Sequence, residues 1–260
     1  MARWLASEVP EWVDVLVFIV GLPALMMLLQ VWVLRVVPHW QRGRHNDVAG
    51  VMLSAAVVVY SVAIGLCVVT LWGKLDDAHR ATQAEATNIA ALAEGSQVFD
   101  TTVQDQIRVR VIAYNRDVVK AWTMRINGEP VPAVKADLDS LTALVAGLTP
   151  QTEAQRAFVD DAVTRVAREY ELREVAVRSA HDQQLPDVLW IAVLGGSAVV
   201  LALSLTCGVR DGMLRRLLLV GVSATVGINL FLVIQLNYPF YGQIRVGPDS
   251  YSDIVAELTR

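Results

Sequence analysis

The sequence has little with which to do covalent or metal chemistry. Of its 260 residues, two are cysteine and four are histidine. It contains no Gly-rich phosphate loop, no Cys/His zinc spacing, no nucleophile elbow and no dinucleotide-binding fingerprint. With no activated nucleophile or acid–base pair in view, the chain reads as non-enzymatic and without a cofactor. Cys67 sits near the end of one apolar run and Cys207 at the end of another that runs back. A rise of 1.5 Å per residue puts them on the order of 20 Å apart, beyond disulfide reach. Both read as small apolar packing residues. Charge is also scarce: 18% of residues, against 54% hydrophobic and a mean hydropathy of +0.43. The N-terminal flank lacks the basic start of a cleaved signal, with Arg3 set against Glu8, Glu11 and Asp14. The first apolar run is therefore expected to remain in the mature chain.

What is present in quantity is long apolar runs. Four stretches, about residues 13–34, 48–72, 188–207 and 214–235, each approach the roughly 20 residues that a helix needs to cross a bilayer. Between the second and third lies a polar segment, 73–186, long enough for a small domain. The pattern predicts an all-α integral membrane protein. A pair of transmembrane helices (1–72) is followed by an extramembrane helical bundle (73–186), a second pair (187–235) and an extramembrane C-terminal segment (236–260). The lipid bilayer is its first partner, and a net charge of −4 gives no reason to expect a nucleic acid.

The central segment is helical by periodicity. Residues 74–99 hold no Gly or Pro before Gly95, so the second apolar helix is expected to continue out of the membrane, with Ile89 and Leu92 on one face. Ile107, Val111, Tyr114, Val118 and Trp122 form an amphipathic stripe, and Val134, Leu138, Leu141, Val145 and Leu148 form another. "NGEP" at 127–130 is a turn. Thr149 and Pro150 read as cap and first residue of a helix reaching about Gln184, with a kink at Leu185–Pro186. Four helices thus form the bundle, as a structural stalk or as a module that binds a ligand or partner protein.

The short loops are basic. Arg35, Arg42, Arg44, Arg210, Arg215 and Arg216 outnumber Asp47 and Asp211, while the termini are acidic. Basic short loops stay in the cytoplasm, which places both termini and the bundle on the extracytoplasmic side of a multi-pass cell-membrane protein.

Three groups are candidate sites. Ser54, Tyr60 and Ser61 on the second helix are candidate pore-lining residues; the competing use is close packing through Gly50, Ser54 and Gly65. Asp76, His79, Glu85, His181 and Asp182 share a height near the membrane if their helices are continuous. They form a candidate polar or metal cluster, against the commoner reading of solvated charge. Pro239, Phe240 and Gly242 follow the last span in "LNYPFYGQIRV", where a turn with anchoring aromatics would make a collar, with Ile244 and Val246 extended beyond it.

Several motifs come in a distinctive order. "HNDVAGVMLSAAVVVYSVAIGLCVVTLW" opens with Asn46 before the second helix. Asp76–Asp77, Ala81 and Glu85–Ala86 come next, then Tyr114, Val118–Val119 and Trp122, and the chain ends in "NYPFYGQIRV". This order resembles the bacterial bestrophin-like membrane family over nearly the whole chain, from about Trp12 to Leu258. The resemblance implies a homo-oligomer and a distant relation to ion channels whose second membrane helix lines a central pore. It also implies a cytoplasmic bundle, which conflicts with the arginine count. Asn237 and Ala121 depart from the pattern, which would carry acids there.

Overall fold

The computed structural model describes residues 13, 16–36, 46–181, 185–206, 212–241 and 244–260, with the side chains of 46–49 and 176–181 left aside. Every regular element among them is a helix. In chain order these are α1 (Val17–Val36), α2 (Asn46–Gly95), α3 (Thr101–Lys120), α4 (Trp122–Ile126), α5 (Pro132–Ala146), α6 (Glu153–His181), α7 (Asp187–Thr206), α8 (Gly212–Leu236) and α9 (Asp249–Leu258). Four of them, α1, α2, α7 and α8, are long and apolar enough to cross a membrane. The chain divides into two compact units, residues 1–74 with 183–244, and residues 75–182 with 245–260. Helix α2 runs unbroken from the first unit into the second.

In the membrane unit, α1 packs along α8, and α7 touches both. The start of α1 is not α-helical. Val17–Gly21 is a π-turn, closed by the Leu22 N–H on the Val17 carbonyl. Pro23 follows at once and has no N–H to give the carbonyl four residues back, so the backbone widens there. Helices α1 and α8 approach closely at Gly227, where a Cβ would collide with the Phe18 carbonyl oxygen. Only glycine fits this crossing.

The second unit is a helical bundle with a continuous apolar core. Ile89 and Leu92 of α2 meet Ile107, Val111 and Val118 of α3, Leu138 and Leu141 of α5, and Ala162 and Val166 of α6. The two predicted stripes are the buried faces of α3 and α5, though their last members, Trp122 and Leu148, are only partly buried. Local signals set the ends. The Asp100 carboxylate caps α3 through the Val103 N–H at 3.0 Å. Gly128 takes φ 73° in the "NGEP" turn, a backbone that L side chains avoid, and Pro132 opens α5.

Three expectations need correction. Helix α6 begins three residues later than expected, because Thr152 and not Thr149 caps it. The Thr152 hydroxyl accepts from the Gln155 N–H, and the Gln155 side chain accepts from the N–H groups of Gln151 and Thr152. This is a capping box, and it outcompetes the Thr-Pro signal. Next, the stripe expected to run straight to Trp122 breaks at Ala121, which ends α3 and starts α4. Finally, the C-terminal segment is more than an extended strap. Ile244 is exposed and Val246 buried, but 249–258 then coil into α9, which packs on α3 and sends Tyr251 and Ile254 into the bundle core.

Candidate functional site

Within the membrane unit, α2 touches its own chain along a narrow stripe: Tyr60, Ile64, Cys67 and Leu71, spaced four, three and four. Tyr60 lies over Gly196 of α7, and its hydroxyl pairs with the Ser197 hydroxyl at 2.9 Å. It is therefore a packing residue within the chain. Ser54 and Ser61 lie on the exposed remainder, where the Ser54 hydroxyl donates back to the Gly50 carbonyl. A Cβ added at Gly50 or at Gly65 would meet no described atom of another element within 4 Å. Among the described residues, nothing from another element covers Gly50 or Gly65 on the small-residue face of α2. Cys67 is a free, buried thiol, while Cys207 lies outside the described residues.

At the end of α8 the chain turns inward. Leu236, Asn237, Pro239, Phe240 and Tyr241 are all buried, and the Tyr241 N–H closes the turn on the Tyr238 carbonyl at 3.0 Å. The Asn237 Oδ1 accepts the Leu185 N–H at 2.8 Å, joining the end of α8 to the segment that leads into α7. The Asn237 Nδ2 has no partner among the described residues, and neither has the buried Gln235 Oε1. Gly242 lies outside the described residues.

The membrane-proximal cluster is not assembled from its described members. Asp76 pairs with Arg80 at 2.5 Å on the surface, and His79 is exposed. Glu85 is fully buried in the bundle core instead. The His181 side chain and Asp182 lie outside the described residues. Among the described residues, no group of three or more His, Cys, Asp or Glu is placed to hold a metal.

Glu85 leads to a site that the sequence reading did not assemble. Its carboxylate forms an ion pair with Arg125 of α4 and accepts from the hydroxyl of Tyr251 of α9. Arg125 Nη1 donates to the Tyr251 oxygen at 3.2 Å, and its guanidinium lies 5.8 Å from the centroids of both the Trp122 and Tyr251 rings. The Tyr114 hydroxyl of α3 stands 3.1 Å from Glu85 Oε1 and 2.8 Å from Glu169 Oε1 of α6. Asn88, one turn beyond Glu85 on α2, donates from Nδ2 to Glu169 Oε2 and to the Arg165 carbonyl, both at 2.9 Å. Five helices therefore meet at two carboxyl groups and one cation. Glu85, Tyr114, Glu169 and Tyr251 have no exposed surface.

Such burial distorts the titration of Glu169, Arg125, Tyr114 and Tyr251. Burial pushes Glu169 up to about 8, and the nearby Glu85 charge pushes the same way. Burial alone would lower Arg125, but the Glu85 carboxylate together with Tyr251 and Tyr114 holds the guanidinium above its ordinary value. Tyr114 and Tyr251 are raised well above the usual phenol, chiefly by burial. The arrangement can hold a proton and tie helices together; it presents no nucleophile to a substrate.

Glu85, Tyr114 and Trp122 belonged to the ordered motifs, but Asn88, Arg125, Glu169 and Tyr251 were missed. A signal was present. Phe158, Ala162, Val166 and Glu169 are spaced four, four and three, so Glu169 continues a core-facing stripe. Arg125 lies seven residues after Val118 and Glu85 four before Ile89, likewise in register with buried positions. A charged residue in core register is the mark of a buried network.

No curated protein and no solved structure matches the chain. The model of one family, the bestrophin-like domain, matches residues 20–251. That span takes in α2 to α8 whole, α1 but for its first three residues, and α9 as far as Tyr251 of the buried network. On this match, the chain belongs to the bestrophin-like family.

Proposed function

We propose that the chain is one subunit of a homo-oligomeric ion channel, with α2 facing the pore. The observation that carries this reading is the open face of α2. Of its most apolar stretch 17% is buried within the chain, the same share as in α1, but on α2 the face left over carries Ser54, Ser61 and Gly65. The Ser54 hydroxyl already bonds the Gly50 carbonyl, but a face of small and hydroxyl-bearing residues suits a neighbouring copy or a water-filled pore. Membership of the bestrophin-like family supports the same reading. In this reading Tyr60, whose hydroxyl pairs with Ser197 of α7, packs within the subunit rather than lining the pore. The test is cross-linking: Ser61→Cys in a background with Cys67 and Cys207 replaced should give disulfide-linked copies in the membrane. Only monomers, in protein shown to be folded, would sink the reading.

A second reading, a membrane scaffold or sensor with the bundle as its binding module, draws on the buried network, which ties α2 to α6 and α9. The orientation that follows from the arginine-rich short loops has the bundle and termini outside the cell; the channel analogy has them in the cytoplasm. Ser140, exposed on α5, suits the decision. In the same cysteine-free background, Ser140→Cys labelled by an impermeant maleimide on intact cells favours the outside. Labelling only after lysis favours the cytoplasm.

A further inference from the structure

The Tyr114 hydroxyl has one proton and two carboxyl oxygens to give it to, Glu169 Oε1 at 2.8 Å and Glu85 Oε1 at 3.1 Å. Were both carboxyls ionised, one of these contacts would set lone pair against lone pair. Glu169, Glu85 and Tyr114 have no exposed surface, so bulk water does not relieve that contact. A second proton removes the conflict, and the surroundings say where it sits. Glu85 has the Arg125 guanidinium and the Tyr251 hydroxyl to hold its charge. Among the described residues, Glu169 accepts from the Asn88 amide and from Tyr114, and Arg125 acts on it without a hydrogen bond.

We propose that the bundle core is a proton-binding site, in which a carboxylic acid at Glu169 donates to the Tyr114 oxygen, Tyr114 donates to ionised Glu85, and the chain of hydrogen bonds locks α2, α3 and α6 together. The groups that face it are few. Glu85 and Asn88 come from α2, Tyr114 from α3, Arg125 from α4 and Tyr251 from α9. On α6 itself, the Arg165 guanidinium turns to Asp161 at 2.5 Å. From α5, Asp139 accepts from Tyr170 rather than facing Glu169. Arg125 is thus the cation to which both carboxyls answer. The rise of Glu169 to about 8 has the sign that the proton count requires.

Loss of the proton is a simple ionisation. The Glu169 O–H bond breaks, the pair stays on the carboxylate and the proton passes to water when the bundle opens. Two carboxylates then share one guanidinium, and the Tyr114 proton serves only one of them. Alkaline conditions therefore loosen α6 from α2 and α3. This inference concerns the bundle alone and stands whether or not the chain conducts ions.

The test is infrared spectroscopy of the full-length protein in detergent, with carbon-13 glutamate to mark the carboxyl stretch. The expected result is one protonated glutamic acid per chain at neutral pH, lost on alkalinisation with a midpoint of about 8 and missing from Glu169→Gln. No such band at neutral pH, or a band that persists in Glu169→Gln, would overturn the proposal. If Glu169→Gln does not fold, the wild-type titration and Tyr114→Phe decide. Tyr114→Phe should keep the acid but move its stretch to the higher frequency of a less strongly bonded carboxyl, and an unmoved band would break the link to Tyr114.

Discussion

Arg125 balances the Glu85 charge in a place that water does not reach. Replacing it by Met would take from the buried Glu85 the cation with which it pairs. Removing one partner of a buried pair costs about 3–5 kcal/mol, and Arg125→Met should lower stability by that order. Adding Glu85→Gln should recover part of the loss, which a double-mutant cycle on thermal unfolding in detergent would read. Glu169 sets the pH dependence. Its folded value of about 8 lies above the ordinary 4.5, so between those values the folded chain holds a proton that the unfolded chain has released. Its stabilising contribution is full below the unfolded value and declines as pH rises, by at most about 1.4 kcal/mol per pH unit. Above the folded value it is gone. Unfolding measured from mildly acid to alkaline pH should show this decline in the wild type and a flatter profile in Glu169→Gln. A wild-type profile no steeper than that of Glu169→Gln would count against the assignment.

Elements are where sequence and structure can be compared most closely. The four spans were legible because twenty apolar residues in a row have few other uses, and the α3 and α5 stripes because their period is helical. The start of α6 was misread because two signals compete there, and a reciprocal pair of side-chain bonds at Thr152 and Gln155 outweighs a proline's fixed φ. Helix α9 escaped notice because its ten residues gain their partners only from the bundle, through Tyr251 and Ile254. Glu169 sits among Arg168, Glu171, Arg173 and Glu174, where charge looks like a solvated face. Its register with Val166, not its type, gives it away. Two predictions belong at this scale. Gly227→Leu should separate α1 from α8, because even a Cβ meets the Phe18 carbonyl; overpacking of this kind costs about 1–3 kcal/mol or more. Phe240→Ala should remove a buried ring from the turn after α8 at a cost of about 3–5 kcal/mol. Thermal stability in detergent reads both, and an unchanged Phe240→Ala protein would remove the collar as a structural device.

For the whole molecule, the central claim is that copies of the chain surround a conducting path lined by α2. Ser54, Ser61 and Gly65 lie exposed along one face of that helix, and a Cβ at Gly65 would meet no described atom of another element; in the proposed channel this face lines the path. The buried network and the pore are separate claims, since a chain that holds its proton need not conduct. The most direct measurement is ion flux from liposomes containing the purified protein, with potassium and chloride gradients tried in turn. The channel reading predicts that wild-type vesicles discharge a gradient that protein-free vesicles hold, and that Ser61→Trp slows the discharge without unfolding the protein. Vesicles that contain folded protein and stay as tight as empty ones to both ions would contradict it.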